Sequence, residues 1–211
     1  SLRSQKSIGA GDFGDLEQLV DLAHLSGMNV VQILPVNDTT VHGMWWDSYP
    51  YSSVSVFALH PLYLRVQPLL EEAAVVAGPE RKHVFDALRV ELEKARHALD
   101  LKEVDYEASV KVKMSIARRC LKEKSVREAF LESNQFKTFL HEMEGWLKPY
   151  AVFSALRELF GTAEHWRWGV LSAENAFDTV QRLSSGLGPG SEQSCSGSIY
   201  DAVVLSYYVQ F

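Results

Sequence analysis

The succession of an amphipathic segment and an apolar segment near the N-terminus constrains the fold of this chain most. Residues 12–26 predict a helix, because Asp12 can cap its first turn and Gly27 ends its apolar periodicity. Residues 29–36 are almost continuously apolar and predict a buried strand. A helix followed by such a strand, with polar loops between them, is typical of an α/β protein with a parallel sheet.

The middle of the chain predicts a different, helical architecture. Apolar residues recur at helical spacing in four stretches between residues 70 and 180, and the fourth begins around Pro149, which suits a first helical turn. So long a helical region exceeds a single crossover helix. We therefore interpret residues 67–183 as a helical insertion. A mobile loop rich in Ser and Gly is predicted at 184–198, and another helix begins at 199–211.

The segment at residues 45–53 carries the strongest functional signal. Its sequence, WWDSYPYSS, places four aromatic rings, one carboxylate and several hydroxyls after the predicted strand. Aromatic faces beside short hydrogen-bonding groups suit a ligand with apolar C–H faces and a rim of hydroxyls, such as a sugar ring. The candidate substrate-binding residues are Trp46, Asp47, Ser48, Tyr49 and Tyr51. The structural alternative is an aromatic loop packed on the rim of the fold, with its hydroxyls bonded to the backbone.

A second motif, GAGDFG at residues 9–14, fits the dinucleotide fingerprint GxGxxG and precedes the first helix. Two features oppose that interpretation. The residues before the motif are few and mostly polar, so no buried first strand precedes it. Asp12 would also place a carboxylate where a pyrophosphate must bind. A tight loop that enters the first helix explains the glycines better, and dinucleotide binding stays as an alternative.

Composition excludes several classes of partner. The net charge of −6 disfavours nucleic acid, whose phosphates require a basic surface. The sequence contains no apolar run of 18 residues and no signal-like start, so we predict no membrane span and a cytoplasmic location. Cys120 and Cys195 lie far apart and follow no metal-ligand spacing, so no metal or cofactor is predicted.

Several ordered motifs carry a resemblance to a known family. They are SLRS at residues 1–4, IGAGDFGD at 8–15, VQILP at 31–35, DSYPY at 47–51 and FALHPLYL at 57–64. In this order they resemble the start of the catalytic barrel of 4-α-glucanotransferases, the amylomaltases or disproportionating enzymes of glycoside hydrolase family 77. The form HGMWW at 42–46 is similar to the plant-type cytosolic branch, which acts on maltose. Shorter similarities continue at residues 104–106, 144–150 and 207–210.

The resemblance implies a fold and an activity. Residues 1–66 would form the first βα units of a TIM (β/α)8 barrel, so the expected fold class is α/β, a partial barrel with a large helical insertion. The implied reaction is retaining transfer of α-1,4-glucosyl units between maltose or maltooligosaccharides and glucan acceptors, in starch or glycogen metabolism. Ser48 and Tyr51 are then the best candidates for glucan contact, while Tyr49 is one extra residue within the Ser-Pro-Tyr pattern of many bacterial members.

The same resemblance leaves the catalytic groups unassigned. Retaining transfer requires a carboxylate nucleophile and a second carboxyl group about 5–5.5 Å away. In the family these groups lie on later strands of the barrel, so we name no catalytic residue within this sequence. We expect the chain to be a piece of a longer enzyme and to be inactive by itself. The alternative is a non-catalytic interaction module whose helical insertion binds a partner.

Overall fold

The computed structural model describes residues 2–100, 103–169, 180, 183–184 and 197–211. Most of these residues are helical. The α-helices are α1 (Phe13–Leu25), α2 (Val66–Ala77), α3 (Lys82–Asp100), α4 (Tyr106–Lys122), α5 (Lys124–Glu132), α6 (Asn134–Phe160) and α7 (Gly197–Gln210). Short 3-10 helices lie at Trp45–Ser48, Pro61–Tyr63, Pro79–Arg81 and His165–Arg167. Within the described residues, β-structure is limited to two isolated bridges, Ile8 with Ala10 and Asn37 with Leu59.

The chain divides into two compact units, Ser1–Val126 and Arg127–Phe211. In the first unit, α2, α3 and α4 pack against one another around a shared core. Leu70 of α2, Phe85 and Leu88 of α3 and Ile116 of α4 are completely buried there. Bidentate ion pairs reinforce the outside of this bundle, such as the one between Arg89 and Glu71. The first unit therefore contains a rigid helical base.

The first helix forms where the sequence predicts it. The Asp12 carboxylate accepts hydrogen bonds from the N–H groups of Gly14 and Asp15, and the Asp15 side chain accepts from the Asp12 N–H, which completes a capping box. Ser26 follows the last turn, and Gly27 takes the left-handed φ of +75° that ends the helix. The predicted cap and stop of α1 are thus confirmed.

The strand predicted at residues 29–36 is not formed. These residues form no regular element and have no strand partner among the described residues. Most of their side chains are exposed, 82% for Val30 and 60% for Leu34, while Val31 and Val36 are half-buried. A β-strand requires backbone hydrogen bonds to a neighbouring strand, and an apolar sequence does not by itself provide that neighbour. The α/β class is therefore not confirmed for the described part of the chain. The predicted helical character of residues 70 to 160 is confirmed.

The second unit is built on one long helix. α6 runs through Pro149, so the prediction of a separate helix beginning there was wrong. Proline removes one backbone donor and crowds the preceding turn. Leu147 and Ala151, on either side of it, are completely buried, and this packing keeps the helix continuous. α6 ends at Phe160, and the following Gly161 takes a left-handed φ of +67°.

An aromatic core joins the remaining elements of this unit. α7 packs along α6 and buries an apolar stripe that includes Val203, Val204 and Tyr207. The Phe130 ring lies 4.2 Å from Phe136 between ring centroids. The predicted mobile loop at 184–198 lies almost wholly outside the described residues. The predicted domain limits at 66, 183 and 198 stay predictions.

Candidate functional site

The site predicted from sequence lies on a closed loop that we call the aromatic loop, residues 38–58. A short antiparallel bridge pins its two ends together. The Asp38 N–H donates to the Ala58 carbonyl over 2.8 Å, and the His60 N–H donates to the Val36 carbonyl over 2.9 Å. Inside the loop, the Val54 N–H donates to the Asp38 carbonyl over 2.8 Å. The loop therefore has a fixed base although it contains no strand.

The carboxylate of Asp47 organises the first half of the aromatic loop. Its Oδ2 atom accepts hydrogen bonds from four consecutive backbone N–H groups, those of Val41 (3.0 Å), His42 (2.7 Å), Gly43 (2.7 Å) and Met44 (3.3 Å). Gly43 has a φ of +72°, a conformation that glycine adopts without strain. The Asp47 side chain is only 8% exposed, and its Oδ1 lies 3.8 Å from His42 Nδ1. The backbone thus forms a nest around this anion.

The four aromatic rings at residues 45–51 of the loop are exposed to solvent. Trp45, Trp46, Tyr49 and Tyr51 are 64%, 51%, 60% and 64% exposed. They form two pairs, with ring centroids 5.8 Å apart for Trp45 and Trp46 and 5.6 Å apart for Tyr49 and Tyr51. Ser48 lies between the pairs and is half-buried. Exposed rings on a hydrogen-bonded loop are unfavourable in water alone and provide faces on which a ligand can stack.

Helix α4 supports the aromatic loop from one side. The Trp45 N–H donates to Glu107 Oε1 over 3.0 Å. Between the loop and the helix lies a cleft of about 160 Å³, lined by Thr40, Gly43, Met44, Asp47, Ser48, His60, Tyr106, Glu107, Val110 and Lys111. Sequence reasoning missed Glu107, although it follows directly on the motif at 104–106 that contributed to the family resemblance.

α4 also fixes the segment that follows the loop. His60 Nδ1 accepts a hydrogen bond from the Leu62 N–H over 3.0 Å and so caps the 3-10 helix Pro61–Tyr63. The carbonyl of Leu62 in turn accepts a hydrogen bond from the Lys113 ammonium group, which is completely buried. The histidine next to the aromatic loop therefore has a structural role.

The buried charges near α1 belong to the scaffold. Burial lowers the pKa of Lys113 to about 8, against the attraction of Asp12 and Asp15. Burial and then the charge of Asp15 raise the pKa of Asp12. Burial also raises the pKa of Asp15, but hydrogen bonds from Ser4, from the Asp12 N–H and from Ser7 outweigh it and hold that pKa below its usual value. The two carboxylates form the capping interactions at the start of α1, which gives them a structural role.

The GAGDFG motif has a packing explanation. Asp12 occupies the N–H groups of the first turn of α1 that a pyrophosphate would need. A Cβ atom on Gly14 would lie 1.8 Å from Nη1 of Arg65, and one on Gly9 would lie 2.1 Å from Oγ of Ser109. The glycines therefore admit neighbouring side chains. This geometry disfavours the dinucleotide alternative.

The described residues show neither a metal-binding group nor a membrane-spanning helix. No three His, Cys, Asp or Glu side chains among them are placed to hold a metal ion. No helix among them combines the length and the apolar character needed to cross a bilayer.

Comparison with known proteins defines the family. Residues 1–188 match the family model described as 4-alpha-glucanotransferase, glycoside hydrolase family 77. This match covers most of the chain, so the chain belongs to the 4-alpha-glucanotransferase family. The resemblance found in the sequence motifs is thus confirmed.

Curated relatives agree with this assignment. The chain is 45% identical over its whole length to the 4-alpha-glucanotransferase DPE2 of Oryza sativa subsp. japonica, of which it spans 20%. It is 30% identical to the 4-alpha-glucanotransferase of Chlamydia muridarum, with 75% of the chain and 27% of the relative aligned. It is 27% identical to the 4-alpha-glucanotransferase of Streptococcus pneumoniae, with 96% of the chain and 35% of the relative aligned. The chain thus spans about a fifth to a third of these relatives. No solved structure matches it.

Proposed function

We propose that this chain is part of a 4-α-glucanotransferase and that its aromatic loop contacts the α-1,4-glucan. The observation that carries the proposal is the exposure of four rings on a loop whose backbone is held by internal hydrogen bonds. A binding surface gains affinity when its groups are already positioned before the ligand arrives. Membership of the 4-alpha-glucanotransferase family supports glucan as the ligand class.

Within this proposal, each predicted residue has a distinct part. Trp46, Tyr49 and Tyr51 offer ring faces for the C–H faces of glucosyl units, and the half-buried Ser48 hydroxyl offers a hydrogen bond to a sugar hydroxyl. Asp47 contributes through the four N–H groups that it binds, which fix the loop that carries the rings. The loop thus binds and orients glucan, while bond cleavage requires carboxylates that we do not assign to any residue of this chain.

The finer proposals concern the whole enzyme. Glucosyl units pass between maltose or maltooligosaccharides and glucan acceptors with retention of configuration, as part of starch or glycogen metabolism in the cytoplasm. Residues 1–66 contribute the first units of a (β/α)8 barrel, with a helical insertion at 67–183. The similarity to the rice enzyme and the HGMWW motif at 42–46 support this version.

The test is a transfer assay on the full-length protein that carries this sequence. Incubation with maltotriose should release glucose and produce longer maltooligosaccharides, because a glucanotransferase passes the cleaved unit to another sugar. Cellotriose, which has the same composition but β-1,4 bonds, is the control and should remain unchanged. Because the HGMWW motif resembles the branch that acts on maltose, a second incubation supplies maltose with glycogen as the acceptor. Absence of glucose release from both the maltotriose and the maltose–glycogen mixtures would refute the proposed function.

A further inference from the structure

We propose that Glu107 is a positioning residue that fixes the ring-bearing segment of the aromatic loop onto helix α4. This inference rests on the proposed function, since it explains how the glucan-contacting rings are held. It gives the helical insertion a part in substrate binding, because Glu107 lies in α4 and not in the loop itself. The chemical device is a carboxylate that accepts a single backbone N–H from a distant segment.

Glu107 accepts a hydrogen bond from the Trp45 N–H, which has no acceptor within the loop. The 3-10 helix Trp45–Ser48 follows Met44, whose side chain provides no cap. The Asp47 carboxylate accepts the N–H of Met44 but not that of Trp45. The Trp45 N–H donates instead to Glu107 Oε1 over 3.0 Å, across 62 residues of sequence. A carboxylate at the start of a helical turn is favourable because the N–H dipoles there point toward it.

The residue sits on a firm support. α4 buries Ile116, Ala117 and Cys120 completely in the bundle of the first unit. On the same helix, Lys113 donates to the Leu62 carbonyl, just after the end of the aromatic loop. α4 therefore holds the chain both at the ring-bearing turn and beyond the loop's exit. An anchor on so rigid an element can fix a loop that has no ladder of its own.

The Glu107 contact also governs the two tryptophans. Trp45 and Trp46 are consecutive, and their rings pack edge to face at 73°. A shift of the Trp45 backbone would therefore move both rings and change the cleft that Glu107 and Ser48 line. Loss of the bond leaves the Trp45 N–H to water and lets the turn sample other conformations, so part of the binding free energy must then be used to order it.

Three variants of the full-length protein test the inference. Glu107→Ala removes the acceptor, Glu107→Gln keeps an acceptor oxygen without the charge, and Glu103→Ala is the matched control. Glu103 is an exposed carboxylate just before α4, and it accepts no hydrogen bond from the described residues. Two readouts are measured: amide hydrogen exchange of residues 41–48, and kcat and KM for transfer between maltotriose molecules.

Glu107→Ala should accelerate exchange of the Trp45 amide and lower kcat/KM about two- to tenfold, mainly through KM, as the loss of one hydrogen bond would. Glu107→Gln should keep most of the protection of the Trp45 amide and most of the kcat/KM. Glu103→Ala should match the unmodified protein in both. The inference is overturned if exchange is unchanged in Glu107→Ala, if Gln is as damaging as Ala, or if Glu103→Ala has the same effect. If the unmodified protein does not transfer glucosyl units, the proposed function fails, whereas the exchange measurement still decides whether Glu107 holds the loop.

Discussion

Replacement of the buried Lys113 by methionine tests how the scaffold beneath the aromatic loop is stabilised. The Lys113 ammonium group is completely buried and bound to the Leu62 carbonyl. Burial lowers its pKa from 10.5 to about 8, although Asp12, Asp15 and Asp100 attract the charge. That difference corresponds to about 3 kcal/mol of unfavourable free energy for keeping the amine charged in the folded state.

The sign of the pH dependence follows from proton binding. Between pH 8 and 10.5 the unfolded chain holds this proton and the folded chain releases it, so the free energy of unfolding rises with pH. From pH 7 to pH 10 the titration of Lys113 raises the free energy of unfolding by about 2.5 kcal/mol. It is fully present above pH 10.5 and is lost as the pH falls through 8.

The assay compares the stability of the first unit in Lys113→Met and in the unmodified full-length protein at pH 7 and pH 10, by denaturant titration or melting. Methionine has no titrating group, so the difference in unfolding free energy between the two proteins should move by about 2.5 kcal/mol against the variant at pH 10. Titration of other groups, such as Tyr63, is common to both proteins and cancels. The matched control is Lys111→Met, since Lys111 is exposed on the same helix. A difference that is equal at the two pH values would refute the reasoning.

Two further substitutions test the local geometry. Gly9→Ala should destabilise the first unit by about 2–4 kcal/mol, because φ is +71° and the new Cβ would lie 2.1 Å from Ser109 Oγ. In the control Gly43→Ala, φ is +72° but the space around the new Cβ is open. Melting curves should therefore show only the backbone cost of about 1–2 kcal/mol for that control. Asp47→Ala should cost about 1–2 kcal/mol and accelerate amide exchange at residues 41–44, while Asp47→Asn, which keeps an acceptor, should preserve most of the protection. Equal destabilisation by Gly9→Ala and Gly43→Ala would contradict the first account. Equal amide exchange in Asp47→Ala and Asp47→Asn would contradict the second.

Local signals in the sequence predicted some of this structure correctly. Asp12 caps α1 and Gly27 ends it, because caps and left-handed stops depend on a few neighbouring residues. Pro149 was misleading because its local preference for a first turn is overcome by packing along α6. The apolar run at residues 29–36 predicted a strand, but a strand also needs a partner, and no neighbouring stretch of sequence specifies one.

The candidate site shows the same division. The composition of residues 45–53 indicated an aromatic surface, and the exposure of Trp46, Tyr49 and Tyr51 agrees with it. The hydrogen bonds of Asp47 could not be predicted, because they depend on the turn at Gly43. The bond from Trp45 to Glu107 joins two distant parts of the chain and has no signal in either segment. Contacts of this kind require the packed structure.

The most direct test of the central claim, that the aromatic loop contacts glucan, is the kcat/KM of Tyr51→Ala in the full-length protein with maltotriose. The Tyr51 ring is 64% exposed, so its removal should barely change the melting temperature. Loss of a stacking face and a hydroxyl should remove about 1–3 kcal/mol, or roughly five- to 150-fold in kcat/KM. The control Val56→Ala, which removes another exposed apolar side chain from the same loop, should have no comparable effect. An unchanged kcat/KM for Tyr51→Ala, or a sharp fall in melting temperature with normal kinetics of the folded protein, would contradict the claim.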